Sequence, residues 1–229
     1  MKRLIVAVLC LVAAACGAPG PSSDPTSTST SASTTASKPA DDSQAVLRAF
    51  ETCMKAVEAK DGAAALPVLT SSTFTTYDQI RQQALTGTEQ TLPALGLNGR
   101  LLAYAMRGDL DHAMLRTASP QDLAKAIIDK GLVGDDSLRD VALGKLTINN
   151  GKALARVTVR GEASTELFGF ALEDGAWKFD LPAVAAFSEQ ALNGLKNQQG
   201  LTADQLFDQL LTTKYGPAKA ADVRKPVGA

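Results

Sequence analysis

With 229 residues, 45% of them hydrophobic and 21% charged, the chain carries enough apolar material for a sizeable core. Twenty-three basic residues against 24 acidic ones give a net charge of −1, and no basic run has interleaved aromatics, which excludes the electrostatic footprint of a nucleic-acid partner. Three cysteines and a single histidine exclude both a disulfide-dense scaffold and a Cys/His zinc site.

Lys2 and Arg3 open the chain as a basic n-region, and Leu4 to Val12 is an apolar stretch too short for a permanent membrane span, which needs about twenty residues. Ala13, Ala14 and Ala15 then lead into Cys16. This pattern resembles the lipobox of bacterial lipoproteins, although Ala13 stands where that family favours Leu. The resemblance implies a signal peptide over 1–15, lipidation of Cys16, and a protein held by that lipid (palmitate among its acyl chains) on the extracytoplasmic side of the cell membrane or outer membrane. The alternative is ordinary secretion with cleavage after Ala13-Ala14-Ala15. Losing Lys2 and Arg3 leaves 21 basic against 24 acidic residues, and losing Cys10 leaves Cys53 as the one thiol beside the lipidated Cys16.

Residues 16–42 read as a tether, with twelve Ser or Thr between Ser22 and Ser37 and no aromatic or large aliphatic side chain. Such a composition cannot bury enough apolar surface to offset ordering entropy, and a coil of that length spans roughly 25 to 30 Å. The same Ser/Thr run suits O-linked sugars on composition alone.

A single α+β domain is expected over 43–216. Val46, Phe50, Cys53 and Val57 form the stripe of a helix from about Ser43 to Lys60, stopped by Asp61-Gly62, and Cys53 on that apolar side reads as an inert small hydrophobe. Ala63 to Leu69 is a short helical stretch bent by Pro67. Thr76-x-x-Gln79 reads as a capping box for a helix through Ala84 or Leu85. Leu101, Leu102, Ala105 and Met106 predict a helix after Asn98-Gly99, and Asp109 is expected to cap the segment that follows, which carries His112. Ser119-Pro120-Gln121-Asp122 opens another helix, with Leu123, Ile127 and Ile128 inward and Gly131 at its end. Asp135-Asp136 reads as turn and cap.

Strands follow at about 141–149, 152–160, 165–173 and 176–181, an antiparallel meander. Asn150-Gly151 and Asp174-Gly175 suit the two positive φ angles of type I′ hairpin turns. Ala153, Ala155, Val157 and Val159 alternate with Leu154, Arg156, Thr158 and Arg160; Phe168, Phe170 and Leu172 line one face of the third strand, and Trp177, Phe179 and Leu181 one face of the fourth. The change of parity across Gly144 marks a bulge. Val184, Phe187, Ala191 and Leu195 then stripe a helix, and Thr202-Ala203-Asp204-Gln205 is a capping box with a Leu201–Leu206 staple. This helical pair is expected to cover a sheet face, with a flexible tail from 217 to 229.

The amphipathic first helix with its Lys60-Asp61-Gly62 exit, the segment Asn150-Gly151-Lys152-Ala153-Leu154-Ala155-Arg156-Val157 and the closing Glu173-Asp174-Gly175-Ala176-Trp177-Lys178-Phe179-Asp180-Leu181 are similar to NTF2-like (cystatin-like) domains of uncharacterised bacterial lipoproteins. The resemblance implies a cone of sheet around a long helix whose mouth can hold a small apolar ligand. This chain departs from it in its greater length and in the two helices after the last strand.

Chemistry-bearing residues are few. His112, beside Asp109 and Asp111, is expected to belong to a solvated helix entry, because two carboxylates fall short of a calcium set and no second His completes a zinc site. No metal and no cofactor are expected. An isomerase-like pocket would draw on Tyr77, Tyr104, Glu166 and Asp180, with Phe168, Phe170 and Trp177 as its walls. Nucleophile-elbow, phosphate-loop and dinucleotide motifs are absent from the sequence. The expected function is a membrane-anchored, non-catalytic module for a small ligand or for protein docking, its partners being the membrane through the lipid and an envelope protein or apolar small molecule. The alternative is a small cone-type isomerase or hydrolase acting on an apolar substrate.

Overall fold

Inward-facing Ala153, Ala155 and Val157 can be buried only if their strand is covered on one side, and this requirement organises the molecule. The computed structural model describes residues 39–133 and 140–228. The expected signal, Cys16, the tether as far as residue 38 and Asp135-Asp136 lie outside them. The architecture is α+β: helices come first, then a four-stranded antiparallel sheet in the order β1-β2-β3-β4, then further helices.

Helix α1 (Pro39–Ala59) begins four residues before the expected body, taking Asp41 and Asp42 into its first turn, where carboxylates favour the helix dipole. It buries the expected stripe Val46, Phe50, Cys53 and Val57, with Ala49 and Ala56 beside them. Lys60, with φ of 54°, ends it. The short α2 (Gly62–Ala65), capped by Asp61, runs into a single 3₁₀ turn holding Pro67 (Leu66–Val68).

Helix α3 (Ser71–Thr86) starts well before Thr76, because Thr70 is its cap, its side chain accepting from the Thr73 N–H. The Thr76 capping box is therefore corrected: Thr76 lies inside the helix. Helix α4 (Gly96–Asp109) likewise starts earlier than Gly99. Next come α5 (His112–Thr117) and α6 (Pro120–Asp129), the latter capped by Ser119 with Pro120 in its first turn as expected. Asp109 does not cap α5; Asp111 does, its carboxylate accepting from the Met114 N–H at 2.9 Å.

The strands are β1 (Val141–Asn149), β2 (Lys152–Val159), β3 (Glu162–Glu173) and β4 (Ala176–Asp180). Asn150 and Gly151 have φ of 47° and 70°, and Asp174 and Gly175 of 55° and 77°, so both expected hairpin turns form. The register shifts between Leu143 and Leu146, placing the bulge at Gly144. Helix α1 packs on β4 and β1, so one sheet face is inner. Beside β4, residues 69–70 bridge to Phe179 and close that edge.

Helices α7 (Ala183–Gln198), α8 (Ala203–Tyr215) and α9 (Pro217–Val223) complete the chain. The expected sheet cover is corrected. Helix α7 touches β3 and packs on α4, whereas α8 and α9 join the helical layer through α4 and each other, so the outer sheet face keeps Leu154 and Leu167 at 48% and 43% exposure. The expected flexible tail also differs. Ala220 and Val223 are buried, and the Val227 N–H donates to the Leu85 carbonyl, so 217–227 is a strap across the ends of α3 and α4.

Candidate functional site

Cross-strand pairing carries the large side chains of β3 and β4 to the inner face, since Phe170 pairs with Phe179 and Leu172 with Trp177. Phe50 from α1 meets Phe168 and Phe179 at centroid distances of 6.0 and 5.6 Å, and Phe179 meets Phe170 at 5.0 Å. These rings are buried, as is Trp177, whose indole N–H donates to the Asp42 carboxylate at 2.9 Å. The aromatics expected to wall a pocket instead fill its place. Leu172, expected beside them, is 45% exposed at the hairpin tip.

The four polar groups offered for catalysis are not brought together. Asp180 faces outward, its carboxylate accepting from Ser72 Oγ at 2.8 Å. Glu166 is half-buried on β3, in a stretch that extends beyond its pairing with β4. Tyr77 is buried on α3, and burial first, then the neighbouring Cys53, pushes its phenol well above the ordinary range. Tyr104 lies elsewhere, in the α4–α8 layer: it is fully buried, its ring 5.7 Å from that of Phe207, and its hydroxyl accepts from Arg100 Nε at 3.0 Å.

Several carboxylates with catalytic potential are committed to helix starts. Glu173 accepts from the Ser71 N–H and hydroxyl at the start of α3. Glu189 of α7 accepts from the Leu97 and Asn98 N–H groups at 2.9 and 2.7 Å, and so caps α4 from across the molecule. Asp129 accepts from Gly62 N–H at 2.7 Å while pairing with Lys125. Backbone N–H groups in a first helical turn have no partner within the helix, so each of these bonds satisfies one.

Arg107 binds no carboxylate among the described residues. Its guanidinium donates to the carbonyls of Gln83, Ala84 and Gly87 at the end of α3, and of Val223 and Arg224 at the end of α9. Burial lowers its pKa, but the carbonyl ends of two helices favour a cation there. The strap is thus held by a side chain from α4. Two shallow clefts flank it, of about 460 and 410 Å³, and His112 lines the larger with Leu110, Lys219 and Asp222. His112 Nε2 lies 3.2 Å from the Arg107 carbonyl; Asp109 is taken by Lys214 and Tyr215, and Asp111 by its cap. Among the described residues no group of His, Cys, Asp and Glu could hold a metal ion.

No family model matches the chain, and no curated protein or solved structure matches it either. The outer sheet face is the surface that the sequence reading passed over. Lys152, Leu154 and Arg156 share it on β2, and Leu167, paired with Arg156, is the diagonal neighbour of Leu154 across β3. Its signal was present in the alternation itself: Leu154 stands on the otherwise polar face of β2.

Proposed function

We propose that the chain is a lipid-anchored extracytoplasmic lipoprotein whose body, of the NTF2-like cone kind, docks onto an envelope partner and carries out no catalysis. The observation that carries this reading is the inner sheet face occupied by Phe50, Phe168, Phe170, Trp177 and Phe179. A cone enzyme needs a base and an oxyanion donor facing one cavity; here Asp180 and the two tyrosines lie apart. The same packing favours a protein partner over an apolar small ligand, because rings occupy the inner face where a cone would hold one and the two clefts beside the strap are shallow and edged by charged side chains. The long α1 across an antiparallel meander supports the NTF2-like kinship.

Metabolic labelling tests the anchor: palmitate is expected on the wild-type chain and not on Cys16→Ala. Cross-linking in intact envelopes tests docking. A discrete adduct is expected, and a chain that stays solitary under cross-linkers of several lengths overturns the docking half.

A further inference from the structure

We infer that the outer face of the sheet is a contact surface for an anionic lipid bilayer, so that the body lies sheet-side down on the membrane. The inference rests on the anchored reading above and specifies how the anchored body sits. The Trp177–Asp42 hydrogen bond pins the first turn of α1 beside β4, near the Asp174-Gly175 tip. Any chain arriving from Cys16 therefore enters the body at the hairpin-tip end of the sheet. Twenty-two residues separate Cys16 from Pro39, and a coil of that length and composition spans roughly 25 Å, less than the roughly 40 Å width of a body of this size. That end is the one a lipid at Cys16 keeps near the headgroups.

The chemistry of the face fits such a surface. Lys152, Leu154 and Arg156 point outward in succession from the Asn150-Gly151 tip, the bulge sets Lys145 opposite Arg156, and all four are exposed. Among the described residues none of the three cations has an ion-pair partner. Leu154 lies between Lys152 and Arg156, and Leu167 lies beside Arg156 on β3. Of the carboxylates on this face, Asp140 at the far end of β1 pairs with Arg160, while on the β4 side Glu173 and Asp180 are bonded to Ser71 and Ser72 and Lys178 pairs with Glu173 and Asp174. Unpaired cations around a few leucines match anionic headgroups over acyl chains, each cation near such a surface shifting partition roughly five-fold. A second copy of the chain fits worse, because its own face would bring like charges together.

The test uses the whole chain, purified from a host that processes lipoproteins and added to vesicles of phosphatidylcholine alone or with 30% phosphatidylglycerol, about that fraction being enough for a strongly negative surface. Flotation with both vesicles reports the anchor. Amine labelling then reports the face: Lys145 and Lys152 are expected to react several-fold more slowly on the anionic vesicles, Lys219 of the strap to be unchanged, and Lys152→Glu/Arg156→Glu to lose the protection. Equal labelling of Lys152 on both vesicles by a chain that floats with both overturns the inference and leaves the anchor standing. A chain that floats with neither sinks both readings. Flotation with anionic vesicles alone, abolished by salt or by the double variant, supports the face and removes the anchor. Protection that persists in native envelopes after anionic lipid is depleted assigns the face to a protein and overturns the inference.

Discussion

Cys53 is fully buried among apolar side chains, and that burial pushes its thiol up to about 12. In the unfolded chain a thiol ionises near 8.5, so between these values the unfolded state sheds a proton that the folded state keeps. Stability is therefore lost as pH rises through that window. By pH 10 the loss from this one group is about 2 kcal/mol relative to pH 7. Urea unfolding of wild type and Cys53→Ala at the two pH values checks it, the variant losing that share of the slope. Native Cys53 is also expected to resist thiol reagents until the chain unfolds. Asp129 has the opposite sign. Lys125 holds its carboxyl below the usual range, burial opposes this and the Gly62 N–H assists, so its contribution is present above the unfolded value near 4 and lost below it. Asp129→Asn should flatten the acid limb of the stability profile, read by thermal melts between pH 3 and 6.

At the scale of elements, the strap depends on Arg107. Removing its five donors leaves buried carbonyls of α3 and α9 unsatisfied, at roughly 1 kcal/mol or more apiece. Arg107→Met is expected to cost about 5 kcal/mol and Arg107→Lys about 2, since an ammonium offers three donors and no planar fork. Limited proteolysis should then cut after residue 216 in the variants and spare the wild type. These elements also show what a sequence can disclose. Asn150-Gly151 and Asp174-Gly175 are local signals, because those residue types tolerate positive φ, and so they gave the hairpins and the strand limits. The third hairpin turns at Arg160 and Gly161, with φ of 53° and 82°, where only the glycine is a turn residue. The start of α4 escaped because its partner is remote, Glu189 lying 92 positions from Leu97, whereas α3 carried a local signal in Thr70, whose side chain caps Thr73, that competed with the Thr76-x-x-Gln79 pattern six residues on. Helix α9 carries Gly216-Pro217, a recognisable helix opening, but the cation that seats it comes from 116 positions away.

For the whole molecule, the sheet's inner face was legible as an aromatic surface but not as a filled one, since alternation tells which side chains share a face and says nothing of what lies opposite. Phe50 supplies that missing layer. Tyr77 and Tyr104 could not be separated by reading along the chain, although one belongs with Cys53 and the other with Arg100 and Phe207. Truncating the central ring tests how closely this interior is packed. Phe179→Ala is expected to cost 3 to 5 kcal/mol, about the usual range for a buried aromatic, and to create a void that small arenes restore in part. Thermal shift with benzene-sized ligands should move the variant and leave the wild type unchanged.

The chain has one tryptophan, and its indole is bonded to the first turn of α1. Its emission is thus a built-in optical gauge of whether the doorway between stalk and body is shut. A red shift that precedes loss of the far-ultraviolet helix signal would reveal the leading turn peeling away first, with no dye or tag attached.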